Sequence, residues 1–217
     1  MKKLAVFDLD GTLLYTLGDL HASTNFALRS EGLPERSLDE VRQFVGNGIR
    51  LLIERAVPEG MDKQTIDRVF DVFRRHYADH CTDTTKPYTG IPELLAALKA
   101  KGMLLGVVSN KADAPVKTII AHYFPDVFDS VVGEKEGVRK KPAPDSVLHT
   151  ISQLGADIKS TVYIGDSDVD AQTATNAKCS CVLVSWGFRE RKTLERFGRP
   201  IADTPSELLT FLTEVEL

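Results

Sequence analysis

Residues 4–14 read LAVFDLDGTLL, an apolar run that ends in two aspartates one residue apart. This pattern is typical of a buried parallel strand that stops in a loop, because strands covered on both faces are continuously apolar. Gly11 follows the pair and allows a sharp turn, since glycine has no Cβ. Asp8 and Asp10 repel each other, and a hard divalent cation such as Mg²⁺ prefers such oxygen ligands. For these residues alone, a turn with two solvated acids is an equally good interpretation.

Three later segments also place polar residues at or just past a predicted strand end. Ser109 follows the apolar run 104–108, Asp166 follows the run 162–165, and Lys141 lies in a basic, proline-containing segment. In an open parallel sheet, the ligand crevice lies outside the carboxyl ends of the strands. We therefore expect four segments that are distant in sequence to converge at one site.

The composition of the chain is that of an ordinary globular protein. It has 217 residues, of which 42% are hydrophobic and 27% are charged, and its net charge is −4. This length permits a sizeable core, in one domain or in a domain with an insert. The chain lacks a basic excess, and the basic run 139–141 is too short for a nucleic-acid patch, so we expect no nucleic-acid partner.

The cysteines and the first residues bear on location. Cys81, Cys179 and Cys181 give neither a disulfide framework nor a zinc ligand set, which favours inert thiols in a reducing cytoplasm. Asp8 interrupts the apolar run after Met1-Lys2-Lys3 too early for a signal peptide. No stretch approaches the length of a membrane span, so we expect a cytoplasmic protein without a membrane partner.

Hydrophobic periodicity divides the chain into two regions. Residues 16–82 show helical stripes, of which the clearest comprises Ile66, Val69, Phe70, Phe73 and Tyr77, more typical of packing faces than of a cofactor site. From about residue 90, predicted strands and helices alternate, which indicates a parallel sheet covered on both faces. The predicted strands are 104–108, 128–132, 161–164 and 181–184, and the predicted helices are 92–101, 113–122 with Asp113 as its cap, 144–154, 168–177 and a last helix capped by Ser206.

Four short motifs in order resemble those of the haloacid dehalogenase superfamily of phosphatases, in its phosphoglycolate phosphatase-like branch. They are DLDGTLL at 8–14, VVSNK at 107–111, KKPAPD at 140–145 and GDSDVD at 165–170, and FVGNGIRLLIERAV at 44–57 resembles the branch's cap. The resemblance covers nearly the whole chain. It implies an α/β fold with a doubly wound, Rossmann-like parallel sheet and a small all-helical cap inserted after the first strand. The implied domains are a core of residues 1–15 and 83–217 and a cap of residues 16–82.

The resemblance also implies a chemistry for the motif residues. Asp8 is the expected nucleophile, which forms an aspartyl-phosphate, and Asp10 is the expected general acid and base. Ser109 and Lys141 are expected to bind the phosphoryl group; Lys141 is preferred to Lys140 because the family's lysine directly precedes proline. Mg²⁺ is expected between Asp8, Asp166 and the backbone carbonyl of Asp10.

Further residues have supporting roles in this interpretation. Asp170 is expected to bond metal-bound water or orient other groups, whereas Asp168 is expected to be solvated or to cap a helix. Gly11 and Thr12 are expected to cradle the phosphate, with Asn110 as a further amide donor. In the cap, Asn47 or Arg50 is expected to reach the leaving group, although a plain interhelical turn with a solvated Arg50 is an equal alternative.

The sequence departs from the family pattern at two positions. Tyr15 stands where relatives often carry an acid, which leaves the hinge contacts and the substrate choice open. Lys178 stands where many relatives carry glycine, and we expect this to affect a turn only.

The resemblance favours a Mg²⁺-dependent phosphatase acting on a small phosphomonoester such as 2-phosphoglycolate, in a monomer or weak dimer. Alternatives in the superfamily are a pyrophosphatase, a nucleotidase or a sugar phosphomutase, and Asp10 argues against a dehalogenase. A receiver-like phospho-acceptor domain would share the acids, the hydroxyl and the lysine. The long helical insert argues against a receiver, and the complete set of acids argues against a silent scaffold.

Overall fold

The computed structural model describes residues 3–214, and the chain divides into two compact units. One unit comprises Met1–Leu14 and Pro87–Leu217, and the other comprises Tyr15–Lys86. The helical insert expected at 16–82 falls within the second unit. Met1 and Lys2, at the start of the rejected signal peptide, lie outside the described residues, as do residues 215–217 at the end of the expected core domain.

The main sheet has six parallel strands in the order β5-β4-β1-β6-β7-β8. Leaving out the two short strands that form a separate ribbon, this is the 3-2-1-4-5-6 order of a doubly wound Rossmann-like fold. The expected fold class is thereby confirmed for the sheet. In chain order, the strands are β1 (Leu4–Phe7), β2 (Leu14–Tyr15), β3 (Lys86–Pro87), β4 (Leu104–Ala112), β5 (Ser130–Glu134), β6 (Thr161–Gly165), β7 (Ser180–Val184) and β8 (Ile201–Ala202).

The central strand β1 is fully buried, as its continuous apolar sequence predicts. It lies between β4 and β6, with Phe7 opposite both Val107 and Ile164. The carboxyl ends of these three strands are therefore adjacent. In a sheet of this order, the ligand crevice forms where the strand order reverses, between β1 and β6.

The helices of the first unit pack against this sheet and against one another. Two expected caps were wrong: Asp113 is the first residue of its helix and accepts a hydrogen bond from the Gly133 amide, and Thr204, not Ser206, accepts the capping bond of the last helix. The helices, numbered for the whole chain, are α5 (Ile91–Ala100), α6 (Asp113–Tyr123), α7 (Asp145–Gln153), α8 (Asp168–Ala177), α9 (Arg191–Leu194) and α10 (Pro205–Thr213).

The second unit is helical, as the periodicity predicts, with α1 (Leu17–Ser30), α2 (Leu38–Phe44), α3 (Ile49–Ala56) and α4 (Lys63–His80). Val69, Phe73 and Tyr77 form the buried stripe of α4. Asp19 is buried in α1 and accepts hydrogen bonds from the Thr84 and Thr85 amides at 2.8 and 2.9 Å. Among residues 3–214, no helix is both long and apolar enough to cross a membrane.

Candidate active site

The site residues predicted from the sequence lie together at the edge of the main sheet formed by the carboxyl ends of its strands. Asp8 directly follows β1, Ser109 lies near the end of β4, and Asp166 directly follows β6. Lys141 comes from the segment between β5 and α7, next to a cis peptide bond with Pro142. All four side chains are nearly excluded from solvent.

Lys141 joins two of the acids. Its Nζ lies 2.8 Å from Asp8 Oδ1 and 2.9 Å from Asp170 Oδ1. The Lys141 side chain is 3% exposed, so both ion pairs lie in a poorly hydrated environment. A buried ammonium loses several kcal/mol of hydration, and close carboxylates compensate for that loss. The ammonium of Lys141 is therefore stabilised by its ion pairs with Asp8 and Asp170.

Asp166 is positioned by the loop after β1 and by the segment after β7. Thr12 Oγ1 donates to its Oδ1 at 3.2 Å, and the Phe188 amide donates to its Oδ2 at 2.7 Å. Gly11 lies so close that a Cβ built on it would stand 2.4 Å from Asp166 Oδ2, and its φ is +86°. Both the conformation and the space therefore require glycine at position 11.

The loop contacts differ from the phosphate cradle expected at Gly11 and Thr12. The Gly11 amide donates to the Leu14 carbonyl at 2.9 Å, and the Thr12 amide donates to the Leu9 carbonyl at 3.3 Å. These two amides close the loop internally, and the Thr12 hydroxyl holds Asp166. A direct role of either residue in phosphate binding stays a prediction.

Burial, together with the neighbouring acids, raises the affinity of Asp8 and Asp166 for protons. Burial raises the pKa of Asp8 well above its usual range; Lys141 opposes this shift, and Asp170 and Asp166 add to it. Burial, followed by the Asp170 charge, raises the pKa of Asp166 to about 7 against the effect of the Phe188 amide. Burial lowers the pKa of Lys141, but Asp170 and Asp8 outweigh it and the net shift is upward.

The acid cluster fits a divalent cation. Asp8, Asp166 and Asp170 each offer a carboxylate oxygen, and these atoms lie within 4.8 Å of one another. Three ionised carboxylates carry more negative charge than the ammonium of Lys141 neutralises, and an all-oxygen donor set suits Mg²⁺. Asp8 and Asp166, the two carboxylates expected to bind the metal, are both members of this cluster.

The Asp10 side chain points toward a lysine that sequence reasoning missed. Lys111 Nζ lies 2.6 Å from Asp10 Oδ1, and the Lys111 side chain is 2% exposed. This ion pair joins the loop after β1 to the end of β4. The sequence did offer one sign that Lys111 belongs to the site: it is a charged residue directly after Ser109-Asn110, near the end of an apolar strand.

Asn110 has a positioning role in addition to the substrate contact expected for it. Its side-chain amide donates to the Lys141 carbonyl at 3.0 Å, and its side-chain oxygen accepts the Lys141 amide at 2.8 Å. The reciprocal pair joins the end of β4 to the backbone that carries Lys141. Ser109 Oγ accepts the Lys111 amide at 3.2 Å, and its contact with a phosphoryl oxygen stays a prediction.

Asp170 forms hydrogen bonds with other groups of the site, and the orienting role expected for it stays a prediction. Its Oδ2 accepts the Ser167 amide at 3.1 Å, and its Oδ1 accepts the Tyr163 hydroxyl at 3.0 Å. A Cβ at Gly165 would lie 2.2 Å from Asp170 Cγ, so the close approach requires glycine there. Asp168, the first residue of α8, pairs with Arg189 at 3.4 Å.

In the helical unit, Arg50 is already paired. Its guanidinium binds Glu54 at 2.8 Å and Asp67 at 2.5 Å, and it lies over the Phe70 ring. Asn47 Oδ1 accepts a hydrogen bond from Arg55 at 3.2 Å. These contacts give Arg50 and Asn47 structural partners within their own unit, and their contact with a leaving group stays a prediction.

The sequence and the fold both match known proteins. The haloacid dehalogenase-like hydrolase family matches residues 5–184. A phosphoglycolate phosphatase from Aquifex aeolicus is 35% identical over 187 residues, which is 86% of either chain. An N-acetylmuramic acid 6-phosphate phosphatase from Pseudomonas aeruginosa is 32% identical, over 97% of this chain and 94% of that one.

The crystal structure of a protein from Lactobacillus delbrueckii subsp. bulgaricus has a TM-score of 0.93 to this fold at 35% identity, covering 99% of this chain and 100% of that one. The chain therefore belongs to the haloacid dehalogenase-like hydrolases. Within that family it is a phosphatase of the phosphoglycolate phosphatase-like branch, as the four motifs predicted.

Proposed function

We propose that this chain is a Mg²⁺-dependent phosphatase that hydrolyses a small phosphomonoester through an aspartyl-phosphate on Asp8. The observation that carries the proposal is the 2.8 Å contact between Lys141 Nζ and Asp8 Oδ1 inside the acid cluster. A fixed ammonium beside a carboxylate nucleophile binds the incoming phosphoryl oxygens and orients the attacking group.

The proposed reaction has two steps. In the first, an Asp8 oxygen attacks phosphorus, the ester P–O bond breaks, and Asp10 gives a proton to the leaving oxygen. In the second, Asp10 takes a proton from water, which attacks the same phosphorus and releases inorganic phosphate and the Asp8 carboxylate. Ser109 and Lys141 bind phosphoryl oxygens throughout, and Asp170 keeps Lys141 in place.

Mg²⁺ fits the oxygen donors of Asp8 and Asp166, with the Asp10 carbonyl as a third expected ligand. When bound, it supplies charge neutralisation for the phosphoryl group and for the acids. Burial first, and neighbouring acids in addition, raise the pKa of Asp8 and of Asp166, and a bound cation would favour the ionised form of both carboxylates.

The first candidate substrate is 2-phosphoglycolate, since relatives that cover most of the chain carry that activity in their names. N-acetylmuramic acid 6-phosphate is the second candidate, because a relative named for it aligns with 97% of the chain. In this proposal residues 1–15 and 83–217 form the catalytic domain, and the helical segment 16–82 is the cap that reads the leaving group. We also propose that the protein is cytoplasmic and that it is a monomer or a weak dimer.

A panel of phosphate esters tests the proposal most efficiently. Purified protein with Mg²⁺ is incubated with p-nitrophenyl phosphate, 2-phosphoglycolate, N-acetylmuramic acid 6-phosphate, pyrophosphate, a nucleoside monophosphate and a hexose phosphate, and kcat/KM is measured for each. We expect the highest value for 2-phosphoglycolate. A preference for another compound would change the proposed substrate but leave the proposed mechanism in place. Stoichiometric phosphorylation of the protein without turnover would support a receiver-like phospho-acceptor domain instead.

A further inference from the structure

Lys111 is a buried cation to which the proposed chemistry gives no role. Its side chain is 2% exposed, although it stands near the end of β4, where a lysine stem could carry its charge toward water. Removing an ammonium from water costs several kcal/mol, so a buried lysine requires a close anionic partner. The Asp10 carboxylate, 2.6 Å away, is that partner.

The backbone around this pair restricts where Lys111 can point. β1 and β4 are neighbours in the sheet, with Phe7 opposite Val107, so the loop that carries Asp10 lies beside the end of β4. The Lys111 amide donates to Ser109 Oγ at 3.2 Å. The lysine is thus fixed at its backbone by one site residue while its ammonium binds another.

We propose that Lys111 is a positioning residue that orients the Asp10 carboxyl group for proton transfer to the leaving oxygen. This inference rests on the proposed function, in which Asp10 acts as the general acid. As the ester P–O bond breaks, the proton passes from the Asp10 carboxyl group to the leaving oxygen. Lys111 exchanges no proton: its ammonium stays bound to Oδ1, which restricts rotation of the carboxyl group about its Cβ–Cγ bond, and the transferred proton is carried by the other oxygen, Oδ2.

The leaving group separates this role from a general structural one. A poor leaving group such as an alkoxide requires protonation in the transition state, whereas p-nitrophenolate departs with little help. Misorienting Asp10 should therefore slow alkyl esters selectively. A disturbed fold or a weakened phosphate contact would slow all esters alike.

The experiment measures single-turnover phosphorylation of the Mg²⁺-loaded protein with aryl phosphates of rising leaving-group pKa and with 2-phosphoglycolate. For Lys111→Met we expect a loss of about 10- to 100-fold with 2-phosphoglycolate, which is smaller than the full contribution of about 10²–10⁴-fold from general acid–base catalysis, because Asp10 is misoriented and not removed. With p-nitrophenyl phosphate we expect a loss of less than about threefold. Lys140→Met is the matched control: Lys140 is a half-exposed neighbour of Lys141 outside the site, and its removal should change neither rate.

A double-mutant cycle tests whether Lys111 acts through Asp10. Adding Lys111→Met to Asp10→Asn should cost less than about twofold further, because the group that it orients is already disabled. If Lys111→Met does not fold, Lys111→Gln retains a hydrogen-bond donor and should show the same dependence on the leaving group, with a smaller slope.

Two results overturn the assignment of Lys111: an equal loss across the ester series, or a full additional loss in the Asp10→Asn background. Failure of the wild-type protein to turn over any phosphomonoester would instead refute the proposed function, and the Lys111 role with it. Wild-type turnover together with a uniform Lys111→Met defect refutes the Lys111 role alone. The two failures are therefore distinguishable.

Discussion

The Tyr163 hydroxyl oxygen lies 2.9 Å from the ammonium nitrogen of Lys141. The hydroxyl also donates to Asp170 Oδ1 at 3.0 Å, so it connects the lysine to the acid that accompanies it. Burial raises the pKa of Tyr163 well above its usual range, with further contributions from Asp170 and Asp8, which keeps the phenol protonated as a donor. Tyr163, which the apolar pattern of its strand assigns to the hydrophobic core, is therefore also part of the candidate site.

Tyr163→Phe should destabilise the protein and weaken catalysis. Removing the hydroxyl leaves Lys141 and Asp170 each with one hydrogen-bond partner fewer in a buried setting, a loss of about 1–3 kcal/mol in the free energy of unfolding. A less constrained Lys141 should lower kcat/KM by about 10- to 100-fold. Urea unfolding and steady-state kinetics measure the two effects.

Tyr123→Phe is the control for this change, because Tyr123 is the half-buried last residue of α6 and is not one of the site residues. It should alter unfolding by less than about 0.5 kcal/mol and leave turnover intact. Wild-type stability and kinetics in Tyr163→Phe would show that the hydroxyl is dispensable to Lys141.

Some residues of the candidate site could be predicted from the sequence, and others could not. Asp8 and Asp166 were predictable because each ends an apolar strand, and parallel strands bring their carboxyl ends together. Tyr163 was not predictable as a site residue, because its position in an apolar run does not indicate that its hydroxyl group contacts Lys141. The Lys111–Asp10 pair depends on β1 and β4 being neighbours, which periodicity along the chain does not specify.

Metal removal should abolish activity. We expect EDTA to silence turnover, Mg²⁺ to restore it and Ca²⁺ to fail, because Mg²⁺ requires tight octahedral geometry whereas Ca²⁺ accepts more and longer contacts. Extra contacts with both oxygens of Asp8 would hinder its attack on phosphorus. Initial rates with each chloride salt after chelation measure this, and full activity in metal-free buffer would contradict the metal assignment.

Arg50→Ala tests whether the helical unit contacts the leaving group of the substrate and so determines substrate specificity. If Arg50 contacts substrate, kcat/KM should fall far more for 2-phosphoglycolate than for p-nitrophenyl phosphate, because remote binding energy is expressed in the transition state. Arg42→Ala, which removes another arginine of this unit paired with Asp39, is the control. Equal losses on both substrates would assign Arg50 to its ion pairs with Glu54 and Asp67.

Lys178→Gly should stabilise the fold. Lys178 ends α8 in the left-handed conformation, with φ 58° and ψ 31°. That conformation costs a residue with a Cβ about 1–2 kcal/mol, and the greater freedom of glycine in the unfolded chain takes back about 0.5–1 kcal/mol. A net gain of about 0.5–1 kcal/mol in the free energy of unfolding is expected from these two terms.

The control for this substitution is Lys101→Gly, at the end of α5, where φ is −83° and glycine brings no conformational relief. It should be neutral or destabilising in the same urea titration. An equal gain from both variants would mean that the left-handed conformation of Lys178 carries no cost.

The central claim is that Asp8 becomes phosphorylated during turnover. The most direct measurement mixes enzyme, Mg²⁺ and substrate, quenches in acid, reduces with borohydride and maps the product by peptide mass spectrometry. An acyl phosphate is reduced to an alcohol, so this account predicts homoserine at position 8 only when substrate is present, and none in Asp8→Asn, which should also retain less than a tenth of wild-type turnover. Homoserine at another aspartate, or an Asp8→Asn enzyme that still turns over substrate at a tenth of the wild-type rate or more, would contradict it.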